Sequence, residues 1–250
     1  MVMDILKGIH QKLLGRKEIR EKPKVFIFNE AVNFEKKCIF IAIPRTGSTT
    51  VRSQIKQEGN PFIESSHLNI KQVRDGLYVY FLKRSLGNNI SFPSQKVPSD
   101  TEIREKVSNI FKSYFKFSAV RNPWSRAVSL YYRKRNIDIR EQMSFEEFCS
   151  HHLFASDTCR HPTLHRNQID WLTDENDQCI MDYVYKLEEY KIAIKEIEER
   201  TDGRVKLQNL KLNVNPNSSS HRYQDFYNYK TKKMIEARFE KDIDTFKYTF

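Results

Sequence analysis

The amino-acid sequence predicts an α/β fold in three layers, a central parallel β-sheet flanked by helices, with a P-loop-like phosphate-binding turn at the end of one strand. Three observations carry this. The unbroken apolar run Cys38–Ile43 suits a central strand covered on both faces. It feeds "PRTGSTT" and then a helical stretch. Further on, "YFKFSAVRNPWSRAVSLYYRKR" repeats the order of apolar strand, turn and helix, with a basic residue in the turn again. Two such units predict parallel strands whose turns open at one sheet edge.

Taken in order, residues 1–34 read as an extension packed on the core. They combine an amphipathic helix carrying Ile5, Leu6, Ile9 and Leu13 with a short strand, "KVFIF". The main domain is placed at residues 35–250. Its first helix runs from about Ser48 to Gln57 and stops near Gly59, Asn60 and Pro61. "FIESSHLNIKQVRDGL" then reads as strand and helix, followed by the polar loop "GNNISFPSQKVPSD". The second strand–turn–helix unit carries Val128, Leu130 and Tyr131 on its helix. "SFEEFCSHHLF", "KLEEYKIAIKEIEER" and "TKKMIEARFEKDIDTF" are read as helices in the C-terminal third.

Composition narrows the function classes. With 43 Lys and Arg against 32 Asp and Glu, the net charge of +11 favours an anionic partner. The four cysteines have no CxxC spacing, which is no disulfide scaffold and points to a reducing compartment. The apolar runs are far short of the roughly 20 residues that span a bilayer. Asp4, Lys7, His10 and Lys12 interrupt the opening segment, so it lacks the apolar region of a signal peptide. The expected location is the cytoplasm, or the Golgi lumen if the chain is a piece of an anchored enzyme.

The first turn has the chemistry of an anion site. A strand entering a helix through a tight turn aims backbone N–H groups and the positive end of the helix dipole at one spot. Gly47 permits close backbone approach, Ser48, Thr49 and Thr50 add hydroxyls, and Arg45 adds a forked charge beside Thr46. The alternative is an ordinary polar helix cap. The nucleotide-triphosphatase loop G-x-x-x-x-G-K-[ST] is absent, since there is one glycine and no Gly-Lys pair. In the second unit Arg121 follows a strand and Ser129 lies eight residues on, so the pair could clamp a second phosphate.

Together "IPRTGSTTV" and "VRNPWSRAVSLYY" resemble the two cofactor loops of sulfotransferases that use 3'-phosphoadenosine 5'-phosphosulfate (PAPS), in their carbohydrate-sulfotransferase-like branch. "HRNQIDWL", "MDYVYKLEEY" and the ending from "YQDFYNYK" onward extend the similarity over most of residues 36–250. The resemblance implies that residues 44–50 hold the 5'-phosphosulfate and that Arg121 and Ser129 hold the 3'-phosphate. It implies a hydroxyl-bearing acceptor, a carbohydrate in this branch, with neither metal nor nucleic acid. Many members carry Lys where this chain has Arg45, and arginine is a poor proton donor. Ser219, Arg222 and Tyr223 fall in the segment that closes over the nucleotide in related enzymes.

Sulfuryl transfer needs a base for the acceptor proton. His67 resembles the histidine this branch places between the loops, which makes it the candidate base, with Glu64 second. His165, Arg166 and Gln168 match the acceptor-side segment. Cys149, His151, His152, Cys159, His161 and His165 invite a zinc reading, but their spacing matches no compact ligand pattern and Pro162 interrupts any helix there. Arg133, Lys134 and Arg135 are placed to steer an anion. Two rivals stand beside this reading. A kinase with a degenerate phosphate loop lacks an evident Mg²⁺-holding Asp, and a non-catalytic polyanion binder predicts charge spread along a face.

Overall fold

The strand Cys38–Ile41 organises the molecule because both of its faces are buried. The computed structural model describes residues 25–87, 98–133, 137–152, 166–210, 212 and 222–250. In chain order the strands are β1 (Phe26–Ile27), β2 (Val32–Asn33), β3 (Cys38–Ile41), β4 (Asn60–Pro61), β5 (Phe115–Val120) and β6 (Tyr183–Lys186). The helices that matter here are α1 (Ser48–Ile55), α2 (Ile70–Gly87), α3 (Asp100–Ser113), α4 (Pro123–Tyr131), α5 (Ile137–Gln142) and α6 (Phe145–Glu147). Three more follow, α7 (Tyr190–Arg200), α8 (Tyr229–Arg238) and α9 (Glu240–Phe246).

The main sheet has the order β2-β3-β5-β6, with β3, β5 and β6 parallel. Alternation along β3 and on to Ile43 separates two apolar layers. Ile39, Ile41 and Ile43 face α2, α3 and α4 through Ile70, Leu77, Ile110, Trp124 and Val128. Cys38, Phe40 and Ala42 face α1 and α7 through Val51, Ile55, Ala193 and Ile197. Helices therefore cover both faces of a sheet that is mostly parallel.

Departures from the sequence expectation follow from how the segments meet. The sheet is mixed, because the short turn after Asn33 returns the chain directly and forces β2 antiparallel to β3. Phe28, Ala31 and Val32, from the segment read as an extension packed on the core, lie in the core. "FIESS" is not a strand of the main sheet: β4, Asn60–Pro61, pairs with β1 in a separate parallel ribbon, and the N–H groups of Phe62 and Ile63 extend that contact to the Ile27 and Phe28 carbonyls at 2.7 and 3.0 Å. The side chains of Phe62 and Ile63 pack against the α2 layer. Finally, α1 stops at Ile55, "SFEEFCSHH" passes from α6 into a π-helical turn at Phe148–His152, and the last helix is divided at Phe239. The amphipathic helix expected near the start and most of the loop after Gly87 lie outside the described residues.

Candidate functional site

Strands β3 and β5 are paired in parallel register, Ile41 opposite Ser118, so the chain leaves both at the same edge. Ser118 Oγ donates to the Ile41 carbonyl at 2.7 Å and fixes that register inside the sheet. The turns that carry Arg45 and Arg121 thus become neighbours.

The first turn is tight. Arg45 has φ 70° and Gly47 φ 74°, both in the left-handed region. A Cβ added at Gly47 would meet only the movable end of Leu187, at 2.6 Å, so it is the left-handed backbone that favours glycine there. Thr46 is fully buried and its hydroxyl donates to the Ile43 carbonyl at 2.9 Å, which closes the turn from within. Ser48 and Thr50 are buried at the start of α1, and Thr49 is exposed. The Thr50 hydroxyl accepts from the Leu212 N–H at 3.3 Å.

The second turn is held by Asn122. Its Oδ1 accepts from Trp124 N–H at 3.1 Å and Ser125 N–H at 3.2 Å, capping α4, with Pro123 in the first helical position. Its own N–H donates to Glu188 Oε1 at 2.9 Å. Its Nδ2 donates to the Thr249 carbonyl at 2.8 Å and to the Tyr223 hydroxyl at 3.3 Å.

The side chains then interlock across the turns. Arg45 donates from Nε and Nη2 to Ser129 Oγ at 3.0 and 2.8 Å. Arg121 donates from Nε to Ser125 Oγ at 3.0 Å and from Nη1 to the Arg45 carbonyl at 3.3 Å. Burial, then the neighbouring Arg121 and Arg133, pull the Arg45 guanidinium down to about 10. Burial lowers Arg121 as well, against the opposing pull of Glu188 and Tyr248. Two desolvated cations side by side favour an anion between them.

His67 lies beyond β4 in the loop before α2, and it reaches the same edge: its Nδ1 is 2.7 Å from the Ala42 carbonyl, three residues before Arg45. Glu64 is exposed. Arg222 is exposed at the start of the short helix that carries Tyr223, and Tyr223 stands edge-on to Phe250. Arg166 is exposed, while Gln168 has no exposed surface and bonds through its amide to Arg121 and Asp242. His165, Ser219, Lys134, Arg135, Cys159 and His161 lie outside the described residues.

An arginine–serine pair crosses between the two strand–turn–helix units. Ser129 pairs with Arg45, not with Arg121, whose hydroxyl partner is Ser125. Sequence reasoning missed Ser125, although it lies four residues after Arg121 and four before Ser129, on one helical face. It also missed Arg126, 1% exposed, whose Nε donates to the Pro44 carbonyl at 3.2 Å, and the fully buried Asp242. Among the described residues no cluster of His, Cys, Asp and Glu could hold a metal ion, and no helix is long and apolar enough to cross a membrane.

Fold and edge together define an α/β protein with two arginine turns converging at the carboxyl ends of adjacent parallel strands. Residues 30–249 match the family model described as the sulfotransferase family, and the chain belongs to that family. Membership supports sulfuryl transfer to a hydroxyl-bearing acceptor as its general activity. No curated protein and no solved structure matches the chain.

Proposed function

We propose that the protein is a PAPS-dependent sulfotransferase acting on a carbohydrate hydroxyl, with the Arg45 turn serving as a P-loop-like grip for the 5'-phosphosulfate. The observation that carries this reading is the interlock of Arg45 and Arg121 at one sheet edge. The donor set fits a molecule with two anionic ends: two guanidinium forks, the Ser125 and Ser129 hydroxyls, and backbone N–H groups at the start of α1 ahead of Thr50, whose own N–H bonds to the Gly47 carbonyl. In this reading Arg121, with Ser129 and Ser125 beside it, holds the 3'-phosphate.

PAPS supplies the activated sulfuryl group when bound, and sulfur bonds to the acceptor oxygen as its bond to the bridging phosphate oxygen breaks. Arg45, at about 10, remains charged at neutral pH. It therefore stabilises the leaving phosphate electrostatically and does not donate a proton. His67 accepts the hydroxyl proton. With Nδ1–H donating to the Ala42 carbonyl, the neutral ring carries its lone pair on Nε2, which is the basic atom. Glu64 is the second candidate base. In this reading Tyr223, which accepts from Asn122 Nδ2 beside the Arg121 turn, and the neighbouring Arg222 serve the nucleotide, and exposed Arg166 serves the acceptor.

Calorimetric titration with 3'-phosphoadenosine 5'-phosphate, beside ATP with Mg²⁺, tests the reading. Binding of the bisphosphate alone is expected. Arg121→Ala should weaken it by roughly 10- to 100-fold, the worth of about 1.5–3 kcal/mol for a charged hydrogen bond. Binding of MgATP in the absence of bisphosphate binding would instead support a kinase.

A further inference from the structure

Strand β5 ends at Val120, and Arg121, the next residue, still has an N–H and a carbonyl to satisfy in a partly buried position. One side chain takes both. Gln168 Oε1 accepts from the Arg121 N–H at 2.9 Å, and Gln168 Nε2 donates to the Arg121 carbonyl at 2.8 Å. The amide thus stands where a neighbouring strand would stand. Its orientation is fixed in turn by Asp242 on α9, whose Oδ2 accepts from Gln168 Nε2 at 3.2 Å and from Gln168 N–H at 2.7 Å. The other oxygen, Oδ1, accepts from Ile169 N–H at 3.0 Å.

We propose that Gln168 and Asp242 form a buried positioning relay that sets the backbone of the Arg121 turn for anion binding, so that Gln168 serves the cofactor end of the site and not the acceptor. This rests on the cofactor reading above. Gln168 and Asp242 both have no exposed surface, so an acceptor cannot touch either. Arg126 opposes the Asp242 charge from α4 and donates to the Pro44 carbonyl, one residue before Arg45. The same buried cluster therefore touches the backbone of both arginine turns. Gln168 is also the residue type the geometry demands: the Arg121 peptide needs an acceptor and a donor from one planar group, and only an amide supplies both at every pH.

The deciding variant is Gln168→Glu. An ionised carboxylate accepts from the Arg121 N–H but cannot donate to the Arg121 carbonyl, and it faces Asp242. When protonated it regains a donor. The charged or titratable groups around this position are Lys241 and Asp242 on α9, Arg126 on α4, Arg121, Glu188 and Tyr248. Burial and the facing Asp242 raise the pKa of a carboxyl placed there. Relative to the parent protein, Gln168→Glu should bind 3'-phosphoadenosine 5'-phosphate about tenfold or more weakly at pH 8.5, and should recover to within about threefold near pH 6. Gln168→Met should be weakened at both pH values.

Parent-like binding by Gln168→Glu at both pH values overturns the relay, and so does a loss that does not recover on acidification, which is the mark of damaged packing. If Gln168→Glu does not fold at pH 8.5, Asp242→Asn decides. It keeps an acceptor for Gln168 and should cost less affinity than Gln168→Met, and an equal or larger loss overturns the relay. A parent protein that fails to bind the bisphosphate removes the cofactor reading and this inference with it. Binding by the parent with no effect of the variants removes the inference alone.

Discussion

Arg45 shows how much a single position can carry. It adopts a left-handed backbone at φ 70°, reaches Ser129 with two nitrogens, and lends its own carbonyl to Arg121. Arg45→Lys keeps the charge and loses the fork. The same burial and neighbouring arginines that lower Arg45 would lower a lysine from its usual value of about 10.4. A group so lowered loses its charge as pH rises through the shifted value. Affinity of Arg45→Lys for 3'-phosphoadenosine 5'-phosphate should therefore fall between pH 7 and 9.5, whereas the parent profile stays flat there. Titration at four pH values checks it, and a flat profile for the variant would sink the electrostatic account of Arg45. The presence of arginine in this turn was legible in the sequence. Its partner was not, because Ser129 lies 84 residues away and the sequence offered Arg121 as the nearer claimant.

At the scale of elements, α4 matters because it carries the Arg121 turn at its head and both serine hydroxyls on one face. The order strand, turn, helix was readable there, and the structure has Asn122 as the cap and Pro123 in the first turn. What the sequence did not reveal is that the cap side chain also bonds to Thr249, 127 residues away, while its N–H bonds to Glu188, 66 residues away. Local propensity cannot encode such pairings; they exist only once the sheet has placed the elements. Asn122→Ala should destabilise the protein by about 2 kcal/mol, the upper range for losing a cap, with a further contribution from the lost Thr249 bond. Asn122→Asp keeps the cap acceptor and should recover about half of the loss. Urea unfolding measures both. A loss below about 0.5 kcal/mol for Asn122→Ala would mean that α4 is held by its buried face, Trp124, Ala127, Val128 and Leu130, without help from the cap.

For the whole molecule, two strand–turn–helix units sufficed to read an α/β fold with both arginine turns at one edge, since hydrophobic period and turn chemistry are written locally. The antiparallel β2, the absence of a main-sheet strand at "FIESS" and the buried Asp242 depend on which segments meet, and that was not readable. Net charge is the property of the whole that composition does give. At +11 the chain should draw a multiply charged anion from a distance, in addition to holding it by contact. These two effects separate by ionic strength. The screening length falls from about 30 Å at 0.01 M salt to about 3 Å at 1 M, which removes the long-range field and spares hydrogen bonds at contact distance. Stopped-flow binding of 3'-phosphoadenosine 5'-phosphate should show the association rate falling by roughly tenfold over that range, with a much smaller change in dissociation. Arg121→Ala should raise the dissociation rate at every salt concentration, because its contacts are short. If salt acts on dissociation alone, the excess charge does not steer the ligand and only the two arginine turns account for recognition.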